Sequence, residues 1–224
     1  MSFISVFDVL GPNMVGPSSS HTAGACAIGY LARKMKGQEE LKKVEFTLYG
    51  SFAKTYQGHG TDRALLGGIM GFATDDIRIR DSLQIAGERG LEFSFVPDTE
   101  EADVYPNTVD IRMVGVDGSE MTVRGESMGG GKVRIVRIDQ VKVDFTGEYN
   151  AVIVTQQDKP GVAAHITKVL SERHVNIAFM RIFRESRGEK AYTIVESDDP
   201  LPSDIREELL DNPNVGEVMI IEKQ

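Results

Sequence analysis

The sequence predicts an α+β protein in two parts, a mixed α/β segment over residues 1–147 and a βαββαβ segment over residues 148–224. Three observations predict it. Near the start, Ala25, Ile28, Leu31, Ala32 and Met35 recur at helical spacing. In the middle, Val109, Ile111 and Met113 alternate with polar residues, and Met121 and Val123 do so on the return. After Gly147, strand and helix patterns follow one another in an order that is complete in itself. A chain of 224 residues, 41% hydrophobic and 26% charged, has the length and make-up of two folded domains.

The first helix is preceded by Gly16-Pro17-Ser18-Ser19-Ser20-His21-Thr22, which places hydroxyls and an imidazole at or just before its first turn. A strand follows at Val44 to Leu48. Gly58-His59-Gly60-Thr61-Asp62 then opens a second helix that carries Ala64, Leu65, Ile69 and Met70. From Leu91 the chain becomes β-rich, with a hairpin turn at Asp117-Gly118 between the alternating runs. Val133 and Ile135, then Val141, Val143 and Phe145, continue the sheet. Between those strands lies Glu126-Ser127-Met128-Gly129-Gly130-Gly131-Lys132, where three glycines free the backbone to curl its amides around an anion.

In the second part, Ala151 to Thr155 reads as a β-branched strand, and Asp158-Lys159-Pro160-Gly161 turns into a helix with Val162, Ile166, Val169 and Leu170 on its apolar face. Ile177 to Phe183 is a strand, Arg187-Gly188 a turn, and Ala191 to Glu196 the hairpin partner. Pro202 and Ser203 open a second helix with Ile205, Leu209 and Leu210. Asn212-Pro213 ends it before the strand Val215 to Ile221. This βαββαβ order builds a four-stranded antiparallel sheet with two helices on one face, the ferredoxin-like architecture. Asp158 to Val162, followed by Leu170-Ser171-Glu172-Arg173-His174-Val175-Asn176-Ile177, resembles the signature of ACT domains. The resemblance implies a regulatory module that pairs sheets edge to edge and holds a small ligand near Gly161 and Asn176. His165 and His174 have no polar company in sequence and read as structural.

Charge narrows the function. Lys plus Arg number 25 against 34 Asp plus Glu, a formal charge of −9, which repels nucleic acid and anionic membranes. No apolar run approaches the ~20 residues of a membrane span. Met1 to Leu10 lacks a basic start and carries Asp8 within its apolar stretch, unlike a signal peptide, so a cytoplasmic protein is expected. The single cysteine, Cys26, excludes an internal disulfide and an iron–sulfur cluster held by this chain alone. Flanked by Ala25 and Ala27, it reads as a small buried apolar residue.

Three segments carry the candidate chemistry: Ser18, Ser19, Ser20 and Thr22 with His21; His59 with Thr61 and Asp62; and Ser127 with Gly129, Gly130 and Gly131. A helix start supplies unpaired amides and the positive end of a dipole, which suit a carboxylate or phosphate. The glycines beside His59 keep side chains away from its imidazole, and Asp62 is placed to fix its tautomer. Familiar alternatives fail. Glu126 and Val133 break a P-loop, Arg63 stands where a dinucleotide fingerprint needs its third glycine, and no histidine pair has zinc-ligand spacing.

Phe7 to Pro12 with Met14 and Gly16 to Ala25, then Gly58 to Gly68, then Ser127 to Gly131, resemble the β chain of two-chain, iron–sulfur-dependent L-serine dehydratases. The resemblance implies a substrate-binding first domain and a partner α chain that ligates a [4Fe-4S] cluster, no metal being held here. It implies conversion of L-serine to pyruvate and ammonia, with the cluster acting as Lewis acid on the departing hydroxyl. The serine and glycine motifs would hold the substrate carboxylate. His59 would be the proton-transfer residue, with His21 the second candidate. The first domain is also similar to the allosteric substrate-binding domain of some D-3-phosphoglycerate dehydrogenases. Two other readings follow, a non-catalytic regulatory subunit that binds serine as effector, and a scaffold that docks an α chain without touching ligand.

Overall fold

A computed structural model describes residues 13–37, 39–101 and 103–223. The Phe7 to Pro12 part of the resemblance and the Met1 to Leu10 reading lie outside the described residues. Contacts divide the chain into two units, residues 1–136 and 137–224.

In the first unit, Ser18 caps a π-helical turn over Ser19–Gly24, which runs straight into α1 (Ala25–Lys36). The expected apolar stripe is the buried face, with Ala25, Ile28, Leu31, Ala32 and Met35 all inside. Strand β1 (Leu41–Tyr49) is followed by α2 (Gly50–Thr55) and α3 (Thr61–Ile69). Gly29 and Gly68 let α1 and α3 touch backbone to backbone. A Cβ on Gly68 would run into the Cys26 carbonyl and lie 2.7 Å from Tyr30 N, and one on Gly29 would run into the Leu65 carbonyl. A 3₁₀ turn (Ile77–Asp81) and α4 (Ser82–Glu88) lead to β2 (Glu92–Asp98). Then come β3 (Thr108–Gly115), β4 (Glu120–Gly129) and β5 (Lys132–Ile138).

The strands of this unit lie in the order β2-β1-β3-β4-β5. β1 pairs parallel with β2, while β1–β3 and β3–β4 are antiparallel. Alternation does what it predicts, since Val109, Ile111, Met113 and Val123 are fully buried. No sequence period predicts α2, the 3₁₀ turn or α4. Each is short, and such segments are held by tertiary packing rather than by an apolar period.

The second unit opens with β6 (Val141–Phe145), before the Gly147 division expected from sequence. Side chains explain the grouping. Asp139 receives the Tyr192 hydroxyl at 2.9 Å and Lys190 Nζ at 2.7 Å, and Asp144 receives Arg181 at 2.8 Å. The remaining elements are β7 (Asn150–Gln157), α5 (Val162–Glu172), β8 (Phe179–Arg184), β9 (Lys190–Ser197), α6 (Ile205–Leu210) and β10 (Val215–Ile221). They form the predicted βαββαβ unit, with an antiparallel sheet ordered β10-β7-β9-β8. Its core joins Val152, Val154 and Val195 to Ile166 and Leu170 of α5 and Ile205 and Leu209 of α6.

The two histidines of this unit sit at helix ends. His165 Nε2 donates to the Glu208 and Leu209 carbonyls at 3.1 and 3.3 Å, meeting the orphan acceptors at the end of α6. His174 takes φ 56° just past α5, the left-handed position where a helix ends. Among the described residues no helix is long and apolar enough to cross a membrane.

Candidate functional site

The serine run is built as a cap that has more hydroxyls than capping needs. The Ser18 carbonyl accepts from both Thr22 N at 2.9 Å and Ala23 N at 3.3 Å, which is the widened turn, and Ser18 Oγ accepts the His21 amide at 3.1 Å. Ser20 Oγ lies 3.1 Å from His21 Nδ1, and Ser18 Oγ lies 3.5 Å from the same nitrogen. On the far side of the ring, His21 Nε2 is 3.0 Å from Ser51 Oγ. Single π turns inside α-helices recur at functional sites because they re-aim side chains.

The second and third segments come to the same place. The Thr22 hydroxyl donates to the His59 carbonyl at 3.2 Å, and the Ser127 hydroxyl donates to the Ser20 carbonyl at 3.0 Å. The His21 and His59 rings meet edge to face, 4.8 Å between centroids. Phe52 packs against the other flank of His21 at 5.4 Å. Gly60, at φ 68°, makes the left-handed turn that starts α3, and this leaves His59 exposed just outside the helix. A cavity of about 340 Å³ beside it is lined by Lys54, Thr55, Tyr56, Gln57, Gly58 and His59.

Burial, with His59 beside it, holds the His21 imidazole below the usual histidine range, so the ring is neutral near neutral pH. Burial pushes the Asp62 carboxyl above the usual carboxylate range. Asp62 does not pair with His59. Its Oδ1 accepts the Arg63 amide at 2.8 Å, and among the described residues no bond joins it to either histidine, because the start of α3 turns it into its own helix. Cys26 is buried, donates to the Phe72 carbonyl at 3.4 Å, and has its thiol pushed up to about 12 by burial, with Asp76 and Asp75 adding to the shift. A thiol so hard to ionise does not fit a cluster ligand. Among the described residues no group of three or more His, Cys, Asp or Glu side chains could hold a metal.

The serine turn, both histidines, Thr22 and Ser127 are thus brought together, but they take two different postures. Ser18, Ser19, Ser20 and His21 are half-buried and His59 is exposed. Thr22, Thr61 and Ser127 are almost fully buried, and Thr22 and Ser127 give their hydroxyls to backbone carbonyls, so they tie the segments together. The Thr61 hydroxyl is enclosed and, among the described residues, has no hydrogen-bond partner. Much of the expected anion loop is strand. Gly129, Gly130 and Gly131, at φ 91°, 62° and 81°, make the tight turn from β4 to β5.

In the second unit, Gly161 caps the start of α5 at φ 92° and is exposed, as is Asn176. The two sit beyond opposite ends of the 11-residue α5, so ~16 Å of helix separates them within one chain.

Sequence reading missed Ser51, although Gly50-Ser51 directly after the first strand is the same small-residue-plus-hydroxyl signal. It also missed Asn107, whose carbonyl accepts the Ser127 amide at 3.0 Å and whose Oδ1 is buried and, among the described residues, unpartnered.

Comparison with known proteins gives the family of both units. The family profile described as "Serine dehydratase beta chain" matches residues 5–137, and the ACT domain profile matches residues 151–214. The chain is 39% identical over 218 residues to the probable L-serine dehydratase, beta chain, of Bacillus subtilis (strain 168), covering 97% of this chain and 98% of that one. It is 39% identical over 210 residues to the L-serine dehydratase, beta chain, of Peptoniphilus asaccharolyticus, covering 94% of each. The D-3-phosphoglycerate dehydrogenase of Bacillus subtilis (strain 168) is 28% identical over 186 residues, 83% of this chain but 35% of that protein. With the first profile spanning more than half of its residues and two β chains matching nearly its whole length, this chain belongs to the serine dehydratase beta chain family, with an ACT domain at its C-terminal side.

Proposed function

We propose that this chain is the β subunit of an L-serine dehydratase, which acts with an α chain to convert L-serine to pyruvate and ammonia. The observation that carries the reading is the meeting of the serine turn with His59, joined by the Thr22 hydroxyl on the His59 carbonyl. In the reaction the α-proton leaves carbon, the β-hydroxyl leaves as water, and the resulting enamine tautomerises and takes up water to give pyruvate and ammonia. Ser18, Ser19 and Ser20 hold the substrate carboxylate at the start of α1, where unpaired amides and the helix dipole favour an anion. His59 takes the α-proton. It is the exposed histidine of the pair, whereas both ring nitrogens of His21 already face serine hydroxyls. Thr22 and Ser127 hold the three segments in register. Thr61 and Asp62 support the start of α3.

Among the described residues no set of side chains fits an iron–sulfur cluster, and the cluster implied by the resemblance is proposed to reside on the α chain. The ACT domain is proposed to pair with a second copy. Phe179 and Ile182 are 51% and 47% exposed on the edge strand β8, which suits strand-edge contact between two sheets. Because α5 separates Gly161 from Asn176, a ligand that touches both takes one from each copy. A second reading, a serine-sensing regulatory subunit, is favoured by the similarity to D-3-phosphoglycerate dehydrogenase over 83% of this chain.

The deciding experiment is anaerobic co-purification with an α chain, followed by assay for pyruvate from L-serine. The proposal expects activity from the pair and none from either chain alone. Full activity of the α chain by itself would establish the regulatory reading instead.

A further inference from the structure

We propose that Ser51 is a positioning residue: its hydroxyl donates to His21 Nε2 and so fixes the imidazole in the Nδ1–H tautomer, which leaves the Ser20 hydrogen free for the ligand carboxylate. The link to ligand rests on the function proposed above; the hold on His21 does not.

The geometry leaves His21 two consistent arrangements. A neutral imidazole has one donor and one acceptor nitrogen, and each nitrogen here faces serine oxygen, Ser51 Oγ at 3.0 Å from Nε2 and Ser20 Oγ at 3.1 Å from Nδ1. If Nε2 carries the hydrogen, Nδ1 must accept, and the Ser20 hydroxyl turns inward to supply it. Ser20 then has only lone pairs to offer a carboxylate. If Nδ1 carries the hydrogen, Ser20 Oγ accepts it, with Ser18 Oγ 3.5 Å from the same nitrogen. Ser18 Oγ is already an acceptor, for the His21 amide at 3.1 Å, and lies 3.4 Å from Ser20 Oγ, so at most one of the two hydroxyls donates to the other and at least one hydroxyl hydrogen stays available to an anion.

The second arrangement needs a donor at Nε2, and the Ser51 hydroxyl is placed to give its hydrogen there. Its amide donates to the Pro106 carbonyl at 2.6 Å, and its carbonyl accepts the Thr55 hydroxyl at 2.8 Å. The backbone of Ser51 is therefore held from both sides. Among the described residues its hydroxyl has no partner other than His21. Phe52, next in the chain, packs edge to face against the same ring.

The test uses the full chain with ¹⁵N-labelled histidine, in which nitrogen shifts separate the protonated from the bare ring nitrogen, and kinetics of the chain assembled with its α subunit. Wild type should show Nδ1 protonated in His21. Ser51→Ala should move the proton to Nε2 and raise KM for L-serine roughly tenfold with kcat little changed, as for a lost donor to a charged group. Ser51→Thr, which keeps a hydroxyl, should restore both. An Nε2–H tautomer in the wild type, or a tautomer indifferent to Ser51→Ala, overturns the proposal. A tautomer that switches while KM stays fixed overturns the carboxylate role of Ser20 and leaves the hold of Ser51 on His21 standing.

Discussion

Gly24 and Ser127 should be energetically coupled, because one can gain a side chain only at the expense of the other. A Cβ placed on Gly24 would run into Ser127 Oγ, lie 2.9 Å from Ser127 Cβ and 3.4 Å from the Ser19 carbonyl. Gly24 has helical angles, φ −63° and ψ −40°, so Gly24→Ala gains up to about 1 kcal/mol of helix propensity while overpacking costs about 1–3 kcal/mol. Ser127→Ala removes the donor to the Ser20 carbonyl from a fully buried site, a loss of about 1–3 kcal/mol. In the double variant the oxygen that Gly24→Ala collides with is gone, so the two losses should fall short of their sum by about 1 kcal/mol or more. Urea unfolding of the four proteins, followed by circular dichroism, measures the cycle. Losses that add within about 0.4 kcal/mol would refute the contact between β4 and the serine turn.

Three further outcomes are expected. Cys26, buried with its thiol pushed up to about 12, should resist alkylation in the native chain and react at the rate of a free thiol once unfolded; fast native labelling would contradict its placement. His21 is held below its unfolded value, so between that depressed value and 6.5 the folded chain binds fewer protons than the unfolded one and stability falls as pH falls. His21→Gln should therefore lose less of its urea midpoint than wild type between pH 7.5 and 5, and an equal loss would refute the assignment. Gly161→Ala has open space around the new methyl but keeps φ 92°, so it should cost about 1–2 kcal/mol through backbone strain alone; an unchanged melting temperature would show that the turn can relax.

How far residues alone carried the structure depends on how local the information is. The ACT domain was legible because each element has its own period and its own turn residues, from Val162, Ile166 and Leu170 to Asn212-Pro213. The helix of Ala25 to Met35 was legible for the same reason. Residues 50–55 and 77–88 were not, since short turns of helix carry no period. Sequence places the division at Gly147 and contacts place it after Val136, because Val141, Val143 and Phe145 alternate in the same way whichever unit takes them. What decides is Asp139 and Asp144 meeting Tyr192, Lys190 and Arg181.

For the site, residue type identified the segments but not their direction. Ser127 and Ser20 are equally good hydroxyls in sequence, yet one is sealed beneath Gly24 and the other borders His21. Asp62 looked like a partner for His59 from spacing alone, and the start of α3 turns its carboxylate to the Arg63 amide instead. Ser51 stands thirty positions along the chain from His21 and reaches it through β1 and the Pro106 carbonyl that fixes its amide. No local pattern encodes that.

His59→Ala, in the enzyme assembled with its α chain, decides the claim that this chain brings the proton-transfer group to L-serine. Turnover should fall by about 100-fold or more, the scale of a lost positioned acid or base, with KM changed by no more than a few-fold. Turnover that survives while affinity for L-serine collapses would make His59 a binding residue and contradict the claim.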